Sequence, residues 1–208
     1  VLALLPAAAT AAERPEWAFG PTTPPPRAEP PANPDQDMRV PGSAKTYTLK
    51  QLEDPANPPD WFPDEHPPMP KVVANGNGPT VRPCITCHVG NGHGHPENSR
   101  LPGGTAAYLM RQLIDMRSGA RFVTATMGGI AKGMTEQELR EVTDYFSKLK
   151  VMRWTKVVES DTVPKTFHGR GNMRLAVADG GTEPIGNRII ELPEDPARVA
   201  LRDRRRRR

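Results

Sequence analysis

Cysteine is almost missing from this 208-residue chain: there are two, Cys84 and Cys87. A bridge between them would close a loop too short to staple anything distant, so no disulfide scaffold is available. Aromatic residues are scarce at 5%, and mean hydropathy is −0.60. So little apolar matter does not fill one large core, which excludes a barrel, a doubly wound nucleotide-binding sheet and a polytopic membrane protein. No apolar run approaches the roughly 18 residues of a transmembrane span. A basic face is lacking too. Residues 202–208 hold six of the 28 basic side chains and one of the 24 acidic ones, leaving 22 against 23 elsewhere. The body is neutral, no nucleic-acid partner is expected, and the arginine run reads as a disordered tail.

Proline, by contrast, is abundant and lopsided. Seventeen of 25 lie in the first 70 residues. Five stretches follow. Residues 1–12 are apolar and uncharged, and Ala9-Thr10-Ala11 has small-x-small cleavage character, so this stretch reads as the remnant of an export signal and implies a periplasmic protein. Residues 13–69 read as a proline-rich extended wrap or linker, 70–152 as the compact unit, 153–201 as an irregular extension with short β-like runs at 156–158 and 188–192, and 202–208 as the tail. Trp17, Trp61 and Trp154 are expected to pin the flanking segments down.

The two cysteines stand in Cys84-Ile85-Thr86-Cys87-His88. A redox pair would follow a strand and open a helix, but Val81-Arg82-Pro83 and the glycine-rich loop beyond carry no such signal. Zinc would need two more ligands, which His93 and His95 supply on paper, although Gly90–His95 reads more simply as a solvated turn. Covalent haem accounts for every residue. Both thiols add to haem vinyl groups from one helical turn, and His88 falls beneath the iron as proximal ligand. One haem c is therefore expected on Cys84, Cys87 and His88. A six-coordinate iron needs a distal ligand, and a thioether suits a high potential. Met127 and Met134 lie 39 and 46 residues after His88. Met127 sits in Thr126-Met127-Gly128-Gly129, where glycines allow close backbone approach to a ring; Met134 precedes a capping box, Thr135-x-x-Glu138. Met110 and Met116 are assigned to core packing.

Two helices follow from periodicity. Thr105–Arg117 carries Leu109, Leu113 and Met116 on one stripe and stops at Ser118-Gly119, and Thr135–Val151 carries Leu139, Val142, Phe146 and Leu149 on one face. Because these bury little by themselves, the haem-free chain is expected to fold poorly.

From Cys84 to Leu149 the sequence resembles a class I c-type cytochrome, of the bacterial single-domain type or the first haem domain of tandem two-haem relatives. The resemblance runs through CITCH, Leu101, Tyr108-Leu109-x-x-Gln112-Leu113, Gly119-x-Arg121, Met127-x-Gly129, Ile130-Ala131 and Tyr145-Phe146. It implies a mainly α fold, with three or four helices around one haem and the last helix crossing the first, and it favours Met127 as iron ligand. The approach to Cys84 departs from the pattern: Asn75–Pro79 and Pro83 interrupt the first helix, leaving a turn near Pro70–Ala74. The family's proline carbonyl for the proximal histidine has Pro96 as its nearest counterpart. Residues 163–196 resemble the connector between tandem haem domains, which implies a piece of a longer two-haem protein. The expected function is a soluble, non-enzymatic periplasmic carrier moving single electrons between a dehydrogenase and an oxidase or another cytochrome. The alternative is a haem enzyme or a gas or peroxide sensor whose sixth site opens.

Overall fold

The computed structural model describes residues 33–94, 98–153, 155–168 and 174–193. The export-signal stretch, Trp17, His95, Pro96, Trp154 and the arginine tail lie outside the described residues.

The central unit is helical. Pro70 opens α2 (Lys71–Asn75), whose Val72 and Val73 are buried, and Gly76 ends it at φ +69. A short α3 (Ile85–His88) carries the Cys84–His88 motif. In α4 (Ala106–Ser118) the Thr105 side chain caps the first turn, and Gly119 stops the helix in the left-handed region at φ 82; only glycine enters that region without penalty. Helix α6 (Glu136–Ser147) starts with the Thr135–Glu138 capping box in both directions and buries Leu139, Val142, Thr143, Tyr145 and Phe146. It ends sooner than periodicity suggests, because Lys148 closes it, although Leu149 beyond remains 6% exposed.

The glycine-rich stretch around Met127 lies in α5 (Ala125–Gly133), begun by Thr124, whose hydroxyl accepts the Met127 N–H. Burial of Ile130 and Ala131 outweighs the roughly 1 kcal/mol that each helical glycine costs relative to alanine. Helix α4 packs on both α5 and α6, while α2 packs on α6. Together they enclose a core built on Val73, Val81, Ile85, Leu113, Leu139 and Phe146.

The proline-rich segment is more than an extended wrap. Strands β1 (Asp37–Met38) and β2 (Tyr47–Thr48) pair antiparallel, α1 (Leu49–Glu53) follows behind another capping box, and a 3-10 turn covers Pro63–Glu65. Val40, Leu52 and Trp61 form a second small core, with Tyr47 edge-on to Trp61 at 4.7 Å.

The C-terminal segment pairs at positions other than those expected. Val157 and Val158 are 85% and 70% exposed and belong to no strand, and Ile189 is 99% exposed. β-branched character alone pairs with nothing. Pairing occurs instead between β3 (Thr162–Pro164) and β6 (Thr182–Pro184), and between β4 (Thr166–His168) and β5 (Arg174–Ala176). These nested pairs form one interrupted antiparallel ribbon. Residues 177–181 bulge from one side, held by Val177 N–H to Lys165 O (2.8 Å) and Lys165 N–H to Gly181 O (3.1 Å). A two-stranded ribbon tolerates Pro164 and Pro184 because its outer edges need no donors.

Candidate functional site

Cys84 is the N-terminal cap of α3, and Cys87 and His88 lie three and four residues on. Residues so spaced lie along one side of a helical turn. Cys84 keeps part of its surface open while its sulfur turns inward, 3.8 Å from the Val72 carbonyl. Burial, with smaller contributions from Cys87 and Glu138, pushes its thiol up to about 12.

The His88 ring is packed edge-on against Phe146 of α6, with centroids 6.0 Å apart. Its Nδ1 faces the Ser99 carbonyl at 3.3 Å. That contact assigns the proton to Nδ1 and leaves Nε2 with the lone pair a metal requires. Burial holds the imidazole below its ordinary pKa, against the Ser99 bond, so the ring stays neutral. The acceptor belongs to Ser99; Pro96, nearest in family terms, lies outside the described residues. Sequence reasoning missed Ser99 because the bond uses a backbone carbonyl, which any residue type supplies.

Sequence reasoning also placed His93 in a solvated turn, and the fold corrects this. His93 is 3% exposed. Its Nδ1 donates to Asn91 O (2.9 Å), and its Nε2 accepts the Met152 N–H (3.1 Å), joining the loop after His88 to the end of the helical unit. Both nitrogens are engaged with backbone, so the zinc reading loses one of its ligands. Tyr145 adds a second tie by donating its hydroxyl hydrogen to Gly90 O at 2.9 Å. The proline-rich segment supplies a third: the Thr86 hydroxyl, inside the motif, donates to Pro55 O at 2.9 Å. His66 and Met69 rest against Gly90, and His66 Nε2 reaches both Asp60 carboxylate oxygens at 3.2 Å. Arg121 is paired with the Gln112 carbonyl oxygen.

The methionines separate by position. Met134 is 4% exposed within the core. Met127, in the first turn of α5, is half-buried at the core's edge, as are Met69, Met110 and Met116. Tyr108 and Phe122 lie 55% and 54% exposed, and Leu101 is half-buried. An imidazole whose Nδ1 is engaged by Ser99, two cysteines one helical turn apart and several partly open thioether and aromatic side chains form a donor set and an apolar surround that fit haem.

Comparison with known proteins agrees with that chemistry. No protein-family model matches the chain. The thiosulfate dehydrogenase electron acceptor of Thiomonas intermedia is 38% identical over 74 residues, covering 35% of this chain; the chain spans about a third (34%) of that protein's length. A solved cytochrome c4 structure from Acidithiobacillus ferrooxidans is 30% identical, covering 38% of this chain and 46% of that one, with a TM-score of 0.35. The cytochrome subunit of sulfide dehydrogenase from Chlorobaculum tepidum is 30% identical over 101 residues, covering 38% of this chain and 91% of that subunit. A match over nine-tenths of a cytochrome subunit places the chain by family: it belongs to the class I c-type cytochromes, electron-transfer proteins that carry haem.

Proposed function

We propose that residues 70–152 form a mono-haem domain in which Cys84 and Cys87 would hold one covalent haem and His88 and Met127 would bind its iron. In this reading the protein works in the periplasm and takes single electrons from a dehydrogenase to an oxidase or another cytochrome. The names of two relatives, a thiosulfate dehydrogenase electron acceptor and a sulfide dehydrogenase subunit, support a donor enzyme that oxidises a reduced inorganic sulfur compound. The observation that carries the reading is the set-up of His88: a ring oriented by Ser99 and Phe146, on the same turn as both cysteines. When bound, the haem supplies the one-electron couple. The chain orients the proximal ring, fixes its tautomer and excludes water from one side with Phe146. Met127 is preferred to Met134 because its side chain is at the core's edge, whereas Met134 packs inside.

Absorption spectroscopy of haem-loaded protein tests this, with Met127→Ala and Met134→Ala alongside. A low-spin spectrum whose weak far-red sulfur-to-iron band disappears only in Met127→Ala is expected. A band surviving in Met127→Ala and lost in Met134→Ala would transfer the ligand role. A high-spin wild-type spectrum would instead favour a haem enzyme or sensor.

A further inference from the structure

Helix α5 is a weak helix in an exacting position. Three of its nine residues are glycines, Gly128, Gly129 and Gly133, and each costs about 1 kcal/mol of helix propensity relative to alanine. Its own N-terminal cap is slack, with 3.4 Å between the Thr124 hydroxyl and the Met127 N–H. Yet its first turn carries the side chain assigned to the iron. Beyond the burial of Ile130 and Ala131, a contact from outside α5 holds it.

That anchor is Arg117, in the last turn of α4. Its Nε donates to Ala131 O (3.0 Å), its Nη2 donates to Met134 O (2.7 Å), and its Nη1 pairs with the Glu136 carboxylate at the start of α6. One planar fork thus caps the carbonyl end of α5 and ties it to both neighbouring helices. A guanidinium at a helix C-terminus also complements the helix dipole. Ala131 is four residues beyond Met127 and fully buried, so the clamp grips the α5 backbone one helical turn from Met127.

We propose that Arg117 is a positioning residue for the distal ligand: by fixing α5 it sets how firmly the Met127 sulfur is held. This inference rests on the Met127 ligation proposed above. The guanidinium touches neither ligand nor haem in this account and acts only through the α5 backbone.

The test uses haem-loaded protein and follows the pH at which the far-red sulfur-to-iron band is lost, together with the reduction potential. In Arg117→Ala that midpoint is expected to fall by about one pH unit, a tenfold weaker hold, in line with the loss of charge-assisted bonds. Arg117→Lys, which keeps the charge but not the fork, should fall by a smaller amount and guards against a misfolded alanine variant. Thr105→Ala removes the α4 cap, in which the Thr105 hydroxyl accepts the Tyr108 N–H. It should lower the unfolding midpoint while leaving the band's midpoint in place. Unmoved midpoints in both Arg117 variants, or an equal fall in Thr105→Ala, would overturn the inference. If the band is absent from wild type or persists in Met127→Ala, the ligand reading fails and the inference falls with it. If Met127→Ala removes the band and the Arg117 variants leave its midpoint unchanged, the inference alone fails.

Discussion

Replacing His93 with leucine probes the tie between the loop after His88 and the far end of the helical unit. The side chain is 3% exposed, and its ring serves two backbone groups, Asn91 O and the Met152 N–H. Leucine fills most of the volume, so the cost comes from two polar groups left without their partner. Each such group costs about 1–3 kcal/mol when buried. Asn91 and Met152 are both half-buried, so water satisfies them in part, and a total loss of about 2–3 kcal/mol follows. Urea unfolding of the haem-loaded protein, followed by Soret absorbance and far-UV circular dichroism, measures it. A loss below about 1 kcal/mol would show that the ring merely fills space.

The pH dependence of that loss has a definite sign. Burial, helped by Arg100, pulls His93 below its ordinary 6.5, against its bonds to Asn91 and Met152. Between the lowered folded value and 6.5 the unfolded chain binds more protons, so this histidine's contribution is full above 6.5 and shrinks as pH falls through that window. The His93→Leu penalty is therefore larger at about pH 8 than at about pH 5.5. His66 behaves in the opposite sense. Burial opposes its charge, but the Asp60 carboxylate, the Pro67 carbonyl and the charge of Glu65 outweigh it and raise the pKa. Its contribution is full below 6.5 and lost as pH rises through the raised value, so His66→Gln is penalised more at the lower pH. Two penalties that change in the same direction would refute this assignment.

Two backbone predictions accompany it. A Cβ on Gly76 would lie 2.1 Å from Val81 O, at φ +69, so Gly76→Ala should cost about 3 kcal/mol or more, seen as a lowered urea midpoint. Val89, next to His88, holds φ +53, which a β-branched side chain resists. Val89→Gly should therefore stabilise the protein by about 1 kcal/mol in the same assay, and an unchanged midpoint would contradict the strain.

Local chemistry made much of this fold legible. The Thr135–Glu138 box and the Gly119 stop mark their helix ends from sequence alone, because caps are satisfied within a few residues. The same locality explains the errors. The glycine-rich Thr126–Gly129 stretch gives no helix signal of its own, and in α5 it is accompanied by the buried Ile130 and Ala131 and by the Arg117 fork from α4. His93 among glycines looks solvated because its partner, Met152, lies 59 residues away. The β-branched run at Val157-Val158 finds no partner strand, whereas Thr162–Pro164 does.

The same contrast applies to the Cys84–His88 motif. CITCH names its chemistry within five residues, but a four-residue helix has no stability of its own, so its orientation must be imposed from outside. From within, Ile85 is buried in the core, Phe146 lies against the His88 ring and Tyr145 holds Gly90 O. From the loop beyond, Ser99 fixes the ring's tautomer while His93 anchors the loop itself. The proline-rich segment completes the grip, with Pro55 O accepting from Thr86 and His66 and Met69 seated against Gly90. Residues 55–69 are thus structurally part of the site, and the second core around Trp61 acts as the anchor that keeps them there. A segment that composition marks as linker sits, in the fold, against the residues that orient His88.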